Sequence, residues 1–206
     1  MASYFGAAMR SIEIGKEEGM RGDLIRGAFD ARASRLPSLF GGGTVVRSWQ
    51  EVEGMLPGPG ENTVVVTRRE FSAFEFVPML LHGRCERLML TTFNISGPAV
   101  GMIGALLDSG QVHLADVLVH ESMRRLSEGG RAAAALADLR RAFRGRFRFR
   151  ELDIHAKLIC MAMECGDAWV VEGSGNMARN TSIELYSIFN DPLRLQFHAG
   201  WVGDLL

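Results

Sequence analysis

Two stretches of the chain carry residue types able to act together: Ile154-His155-Ala156-Lys157-Leu158-Ile159 and Val170-Val171-Glu172-Gly173-Ser174-Gly175-Asn176. Read as a strand, the first puts His155 and Lys157 on one face, because alternate residues of a strand project to the same side. Glu164-Cys165-Gly166-Asp167 reads as a hairpin turn, so the second stretch returns antiparallel. That return brings the hydroxyl of Ser174 and the amide of Asn176 beside the imidazole and the ammonium. Glycines on both sides of Ser174 let backbone approach a ligand closely. The set suits a phosphate, since ammonium, amide and hydroxyl all donate to anionic oxygens. A neutral imidazole is a competent nucleophile, and a protonated one is a competent acid near neutral pH. Neither a carboxylate dyad nor a metal is required, and no cofactor is expected.

The elements that must hold these residues follow from punctuation and periodicity. Residues 1–60 read as an N-terminal arm or extension: Ser11 to Ala33 has helix formers interrupted by four glycines, and Gly41-Gly42-Gly43 breaks the chain before a short apolar stretch. Pro57-Gly58-Pro59-Gly60 is the strongest turn signal and marks the expected boundary of a main domain over 61–206. There, strands at Val64–Val66, Arg87–Phe93 and Val112–His120 alternate with helical stretches at Phe71–His82, from Ser96 to about Leu107, and at Arg124–Phe143. This rhythm predicts an α/β fold, a sheet flanked by helices. After residue 145 the expectation is strands in quick succession, at Arg146–Arg150, Asp153–Met161, Ala168–Glu172 and Ile183–Phe189, then a closing helix from Pro192.

Composition narrows the classes. The 206 residues are 47% hydrophobic and 23% charged, a globular balance rather than a disordered one. No apolar run is long enough for a membrane span. Met1 to Met20 lacks a basic segment followed by an apolar one, so no signal peptide and a cytoplasmic location are expected. Cys85, Cys160 and Cys165 form neither a C-x-x-C pair nor a disulfide framework, and the five histidines show no metal-ligand spacing. The cysteines are expected reduced and mostly buried, and the histidines other than His155 structural. Of 23 basic residues only Lys16 and Lys157 are Lys, so 21 are Arg. A lysine kept at 157 in so Arg-biased a chain marks that position.

With these residues in view, the sequence resembles the phospholipase D superfamily, whose signature joins H-x-K to G-S-x-N at the end of the next strand. Here these are His155-x-Lys157 and Gly173-Ser174-x-Asn176, with Glu184 eight residues beyond the Asn. The resemblance implies a phospholipase D-like mixed sheet, and a site made of His155, Lys157, Ser174, Asn176 and Glu184. It implies metal-independent phosphodiester chemistry, in which one His attacks phosphorus and a second protonates the leaving group. One motif instead of two implies a homodimer with its site on the two-fold axis. The chain departs from the pattern where the usual Asp after the Lys is replaced by Ala162; Asp167 is the nearby carboxylate that could stand in.

Arg140, Arg141, Arg144, Arg146, Arg148 and Arg150 crowd just ahead of the motif. Arg144, Arg146, Arg148 and Arg150 are expected to form a positive wall guiding nucleic acid to the site; the plainer reading is a charged, solvated edge. The functional expectation is a nuclease-like phosphodiesterase. Its alternative is an inactive module of the same fold that binds nucleic acid or joins a larger bacterial, phage or mobile-element complex through residues 1–60.

Overall fold

The computed structural model describes residues 42–45, 49–68, 72–125, 129–178 and 182–206; the expectations for Ser11–Ala33 and Lys16 lie outside them. Eight strands form one mixed sheet, in the order β1-β2-β8-β7-β6-β3-β4-β5. The strands are β1 (Gly42–Val45), β2 (Asn62–Arg68), β3 (Cys85–Thr92), β4 (Val112–His120), β5 (Phe147–Leu152), β6 (Leu158–Met163), β7 (Ala168–Gly173) and β8 (Ile183–Asn190). The helices are α1 (Trp49–Glu53), α2 (Phe76–Leu80), α3 (Gly97–Asp108), α4 (Gly129–Ala142) and α5 (Pro192–Asp204).

β3, β4 and β5 run parallel, joined by α3 and α4, while β7 runs antiparallel to both β6 and β8, and β6 runs against β3. The middle of the sheet is covered on both faces, which is why β3 and β4 are near-continuous apolar runs. One face packs on α1 to α4 through Val52, Phe76, Val77, Leu80, Ile103, Leu107 and Leu136. The other packs on α5, where Met89, Leu118, Cys160 and Val170 meet Val202. Two helix starts follow from their caps. Ser96 Oγ accepts the Ala99 N–H ahead of α3, and Asp191 accepts the N–H groups of Leu193 and Arg194 at the head of α5, with Pro98 and Pro192 in the first turns.

Several expectations are revised. The stretch expected to run as one helix over 71–82 is a 3-10 turn, Ala73–Glu75, leading into the short α2. Glu75 reaches back to the Ser72 N–H, and Pro78 falls in the first turn of α2, where it removes no helical hydrogen bond. The helix expected from Arg124 is a 3-10 turn, Glu121–Arg125, with α4 starting only at Gly129. The boundary at residue 60 does not detach everything before it: β1 pairs with β2, and Val52 of α1 is fully buried in the core. Pro57–Gly60 is a turn inside the domain, closed by Gly60, with φ of 78°, donating to the Asn190 carbonyl. Cys85 and Cys160 are buried and Cys165 is exposed.

Candidate active site

The sheet places the motif residues at one end, where β3, β4 and β7 finish and β6 and β8 begin. The H-x-K segment is not strand: β6 starts at Leu158, and residues 153–157 form an irregular link from β5. A side-chain bond, a buried side chain and a backbone bond hold the link instead of a continuous ladder. Thr91 Oγ1 donates to the Ala156 carbonyl at 3.0 Å, Ile154 is buried, and the Gly173 N–H donates to the Lys157 carbonyl at 3.3 Å. His155 and Lys157 still meet, with Lys157 Nζ 3.1 Å from His155 Nδ1 and 3.0 Å from the His155 carbonyl oxygen. His155 is exposed and Lys157 half-buried. Burial pushes the Lys157 ammonium below its ordinary range, and the Glu184 carboxylate opposes that shift.

Ser174 follows β7 directly. Its hydroxyl donates to Glu184 Oε2 and accepts the Leu185 N–H at 3.0 Å. Glu184 thereby links the two motifs: it bonds Ser174, and its charge acts on Lys157. Asn176 stands behind them, its Oδ1 3.4 Å from Thr92 Oγ1, whose single proton goes to the nearer Asn94 carbonyl at 2.8 Å. Thr92 Oγ1 also accepts the Met177 N–H at 3.1 Å, so β3 fixes the loop that follows Ser174.

Gly173 serves a different purpose from the ligand access that its place in the motif suggests. A Cβ there would lie 2.4 Å from Tyr186 Cδ1 and 2.7 Å from the Leu185 carbonyl. The missing side chain makes room for β8 rather than for a ligand. Tyr186 then packs edge-on against Phe76 of α2, centroids 4.9 Å apart.

Ala162 pairs with Arg87 and Ala168 at the other end of β6. Five residues of strand separate it from Lys157, roughly 16 Å, so a carboxylate there would brace the hairpin rather than touch a phosphate. Asp167 does so here, accepting from Asn190 Nδ2 at 2.8 Å, while Asn190 Oδ1 accepts the Ala168 N–H.

The arginine cluster is not gathered at the site. Arg146 donates to the carbonyls of Leu107, Val112 and His113, capping the end of α3 and the start of β4. Arg148 grips the buried Asp116, and Arg150 donates to the Leu205 carbonyl. Arg144 is exposed beside the Gly145 turn, ahead of Phe147, which pairs with Ala115 far from the His120 end of β4. The alternation that suggests one positive face comes from guanidiniums that satisfy the protein's own oxygens.

The site also holds residues outside the two motifs. Phe93, immediately after β3, packs on His155 and on His120, with centroids 5.3 and 4.4 Å away. His120, the last residue of β4, bonds Asp153 and Ser122. Their signal in the sequence is position alone: each lies at or next to a strand end on the side where the motifs converge. Among the described residues, no group of three or more His, Cys, Asp or Glu is arranged to hold a metal ion, and no helix is long and apolar enough to cross a membrane.

No family model matches the sequence, and no curated protein matches it. Solved structures do match the fold. A phospholipase D family member, Nuc from Salmonella typhimurium, superposes with a TM-score of 0.52 at 18% identity, over 70% of this chain and 93% of that one. Polyphosphate kinase from Porphyromonas gingivalis has a TM-score of 0.47 at 16% identity, over 63% of this chain and 23% of its own. Phosphatidylserine synthase from Haemophilus influenzae has 0.47 at 14%, over 69% and 38%. The superposition on Nuc shows the phospholipase D-type α/β fold, as the motif resemblance implied.

Proposed function

We propose that this protein is a metal-independent phosphodiesterase acting on nucleic acid, with His155 as nucleophile and the active site shared across a homodimer. The observation that carries the reading is the placement of the His155–Lys157 pair and the Ser174–Glu184 pair at one end of the sheet, where the Glu184 charge acts on the Lys157 ammonium. His155 attacks phosphorus, a nitrogen–phosphorus bond forms, and the bond to the leaving oxygen breaks. Water then attacks the phosphohistidine and returns the imidazole. Lys157 donates to the phosphoryl oxygens as negative charge gathers on them, while Ser174, its proton given to Glu184, anchors that carboxylate.

In-line displacement needs a proton donor across the phosphorus from His155. His120, on the other side of Phe93, does not supply it, because both its nitrogens are committed to Ser122 and Asp153. A second copy's imidazole fills that role. A polymeric diester fits a site whose His155 and Ser174 are exposed.

The test is cleavage of a generic aryl phosphodiester and of single- and double-stranded DNA, with and without EDTA, alongside light scattering. Cleavage is expected to survive EDTA, to vanish in His155→Asn and to track a dimer. Activity abolished by EDTA or kept in His155→Asn refutes the mechanism. An inactive wild type that binds DNA in a salt-dependent way supports the binding module instead.

A further inference from the structure

We infer that His120 is a positioning residue for the H-x-K segment, acting through Asp153 and Phe93. The inference rests on the phosphodiesterase reading for its kinetic consequence, but not for its structural one. His120 closes β4 opposite Leu152, the last residue of β5, and the link 153–157 leaves the sheet from there without ladder pairing. Asp153 is the first residue of that link, and its Oδ1 lies 3.0 Å from His120 Nε2.

The direction of the bond is set from the other side of the ring. The Ser122 backbone N–H, which can only donate, lies 3.0 Å from His120 Nδ1, and Ser122 Oγ lies 2.8 Å from it. Nδ1 is therefore an acceptor, Nε2 carries the proton, and the ring donates to Asp153. The Ser122 turn thus aims the ring, and the ring holds the start of the link.

Phe93 supplies the second constraint, packed between His120 and His155. With Asp153 fixed two residues before His155 and Phe93 against its ring, the nucleophile is held from both sides. Thr91 secures Ala156 just after it. A link of five residues outside the ladder would otherwise sample many backbone states. Sub-ångström placement of a nucleophile governs rate more than binding.

Asp153 is the residue to change, because its side chain is 91% exposed and its loss leaves the core untouched. Hydrogen exchange of the amides over 154–157 is measured with kcat and KM on the aryl phosphodiester, for wild type, Asp153→Ala and Asp153→Asn. In Asp153→Ala exchange is expected to rise on the order of tenfold, and kcat to fall about tenfold to a hundredfold with KM unchanged. Asp153→Asn, whose amide oxygen accepts the same bond from Nε2–H, is expected to restore both. Unchanged exchange in Asp153→Ala overturns the inference, as does faster exchange with kcat intact in an active enzyme. Faster exchange, reversed in Asp153→Asn, in a protein whose wild type cleaves no diester supports the positioning and defeats the phosphodiesterase reading.

Discussion

Lys157 donates to the very imidazole it is expected to assist: its Nζ lies 3.1 Å from His155 Nδ1. An ammonium has protons but no lone pair, so Nδ1 is the acceptor and the ring proton sits on Nε2. In this arrangement the nucleophile is masked and the ammonium satisfied. A phosphate offers the ammonium a better, anionic acceptor, and its arrival releases the ring. Nitrogen NMR of the His155 side chain is expected to show an acceptor Nδ1 and a protonated Nε2 in the free protein. Titration with inorganic phosphate or vanadate is expected to shift the Nδ1 resonance. A His155 spectrum indifferent to saturating anion counts against the exchange of partners.

Lys157 also predicts an alkaline limb. Burial lowers its proton affinity from the ordinary value of 10.5, and Glu184 partly restores it. The protonated form binds the diester, so kcat/KM is expected to fall as pH rises, at a pH below that of ordinary lysine. Glu184→Gln removes the opposing charge and moves the limb further down. Lys157→Arg keeps its charge throughout this range, so the limb is expected to disappear. The planar guanidinium fits a compact ammonium's place poorly, and the residual rate is expected to be about a hundredfold lower. The stability sign is the same throughout: the unfolded chain holds the Lys157 proton to higher pH than the folded one. Stability from this group therefore rises with pH across the window just below 10.5.

Gly173→Ala is expected to damage both stability and rate. Its Cβ would overlap the Tyr186 ring edge and the Leu185 carbonyl, and Tyr186 is fully buried against Phe76. Neither neighbour has slack, so the strand itself must move, at about 1–3 kcal/mol. That motion displaces Ser174 from Glu184. Urea unfolding and kcat together check it. A variant with a wild-type midpoint would show that β8 yields easily.

Much of this arrangement is legible in the amino-acid sequence. β3 and β4 are apolar runs punctuated by glycine and by a capped helix start, and the hairpin that returns Ser174 and Asn176 toward the end of the sheet holding His155 and Lys157 can be read from spacing, whereas Glu184 enters only through the resemblance. What escapes does so for physical reasons. The link 153–157 looks like strand because its residues alternate, but its hydrogen bonds go to Thr91 and His120, partners 65 and 33 residues away in sequence. Gly173 reads as ligand access because sequence cannot show Tyr186 across the ladder. Arg146, Arg148 and Arg150 read as a binding face because the oxygens they satisfy lie on α3, β4 and the C-terminal turn. β1 and α1 are too short to announce themselves by periodicity.

Arg148 leads to the last expectation, through Asp116. That carboxylate is fully buried in the middle of β4, and two guanidiniums close on it: Arg87 Nε and Nη2 at 2.7 Å, and Arg148 Nε and Nη2 at 2.7 and 2.8 Å. The Asp116 hydrogen bond, ahead of the cost of burial, holds the Arg148 proton more tightly than usual. Removing the acid leaves two cations facing each other beneath α5. Removing one arginine leaves a paired acid. Asp116→Asn is therefore expected to cost about 3 kcal/mol, the low end for breaking a buried pair, because Arg87 and Arg148 remain partly solvated. Arg148→Met is expected to cost about 1 kcal/mol, since its side chain is 45% exposed and Arg87 still neutralises Asp116. Both sites lie mid-sheet, away from His155, so kcat below the melting temperature is expected to be unchanged in each. Equal losses for the two variants in urea unfolding would show that the arginines, not the buried carboxylate, set the stability of this cluster.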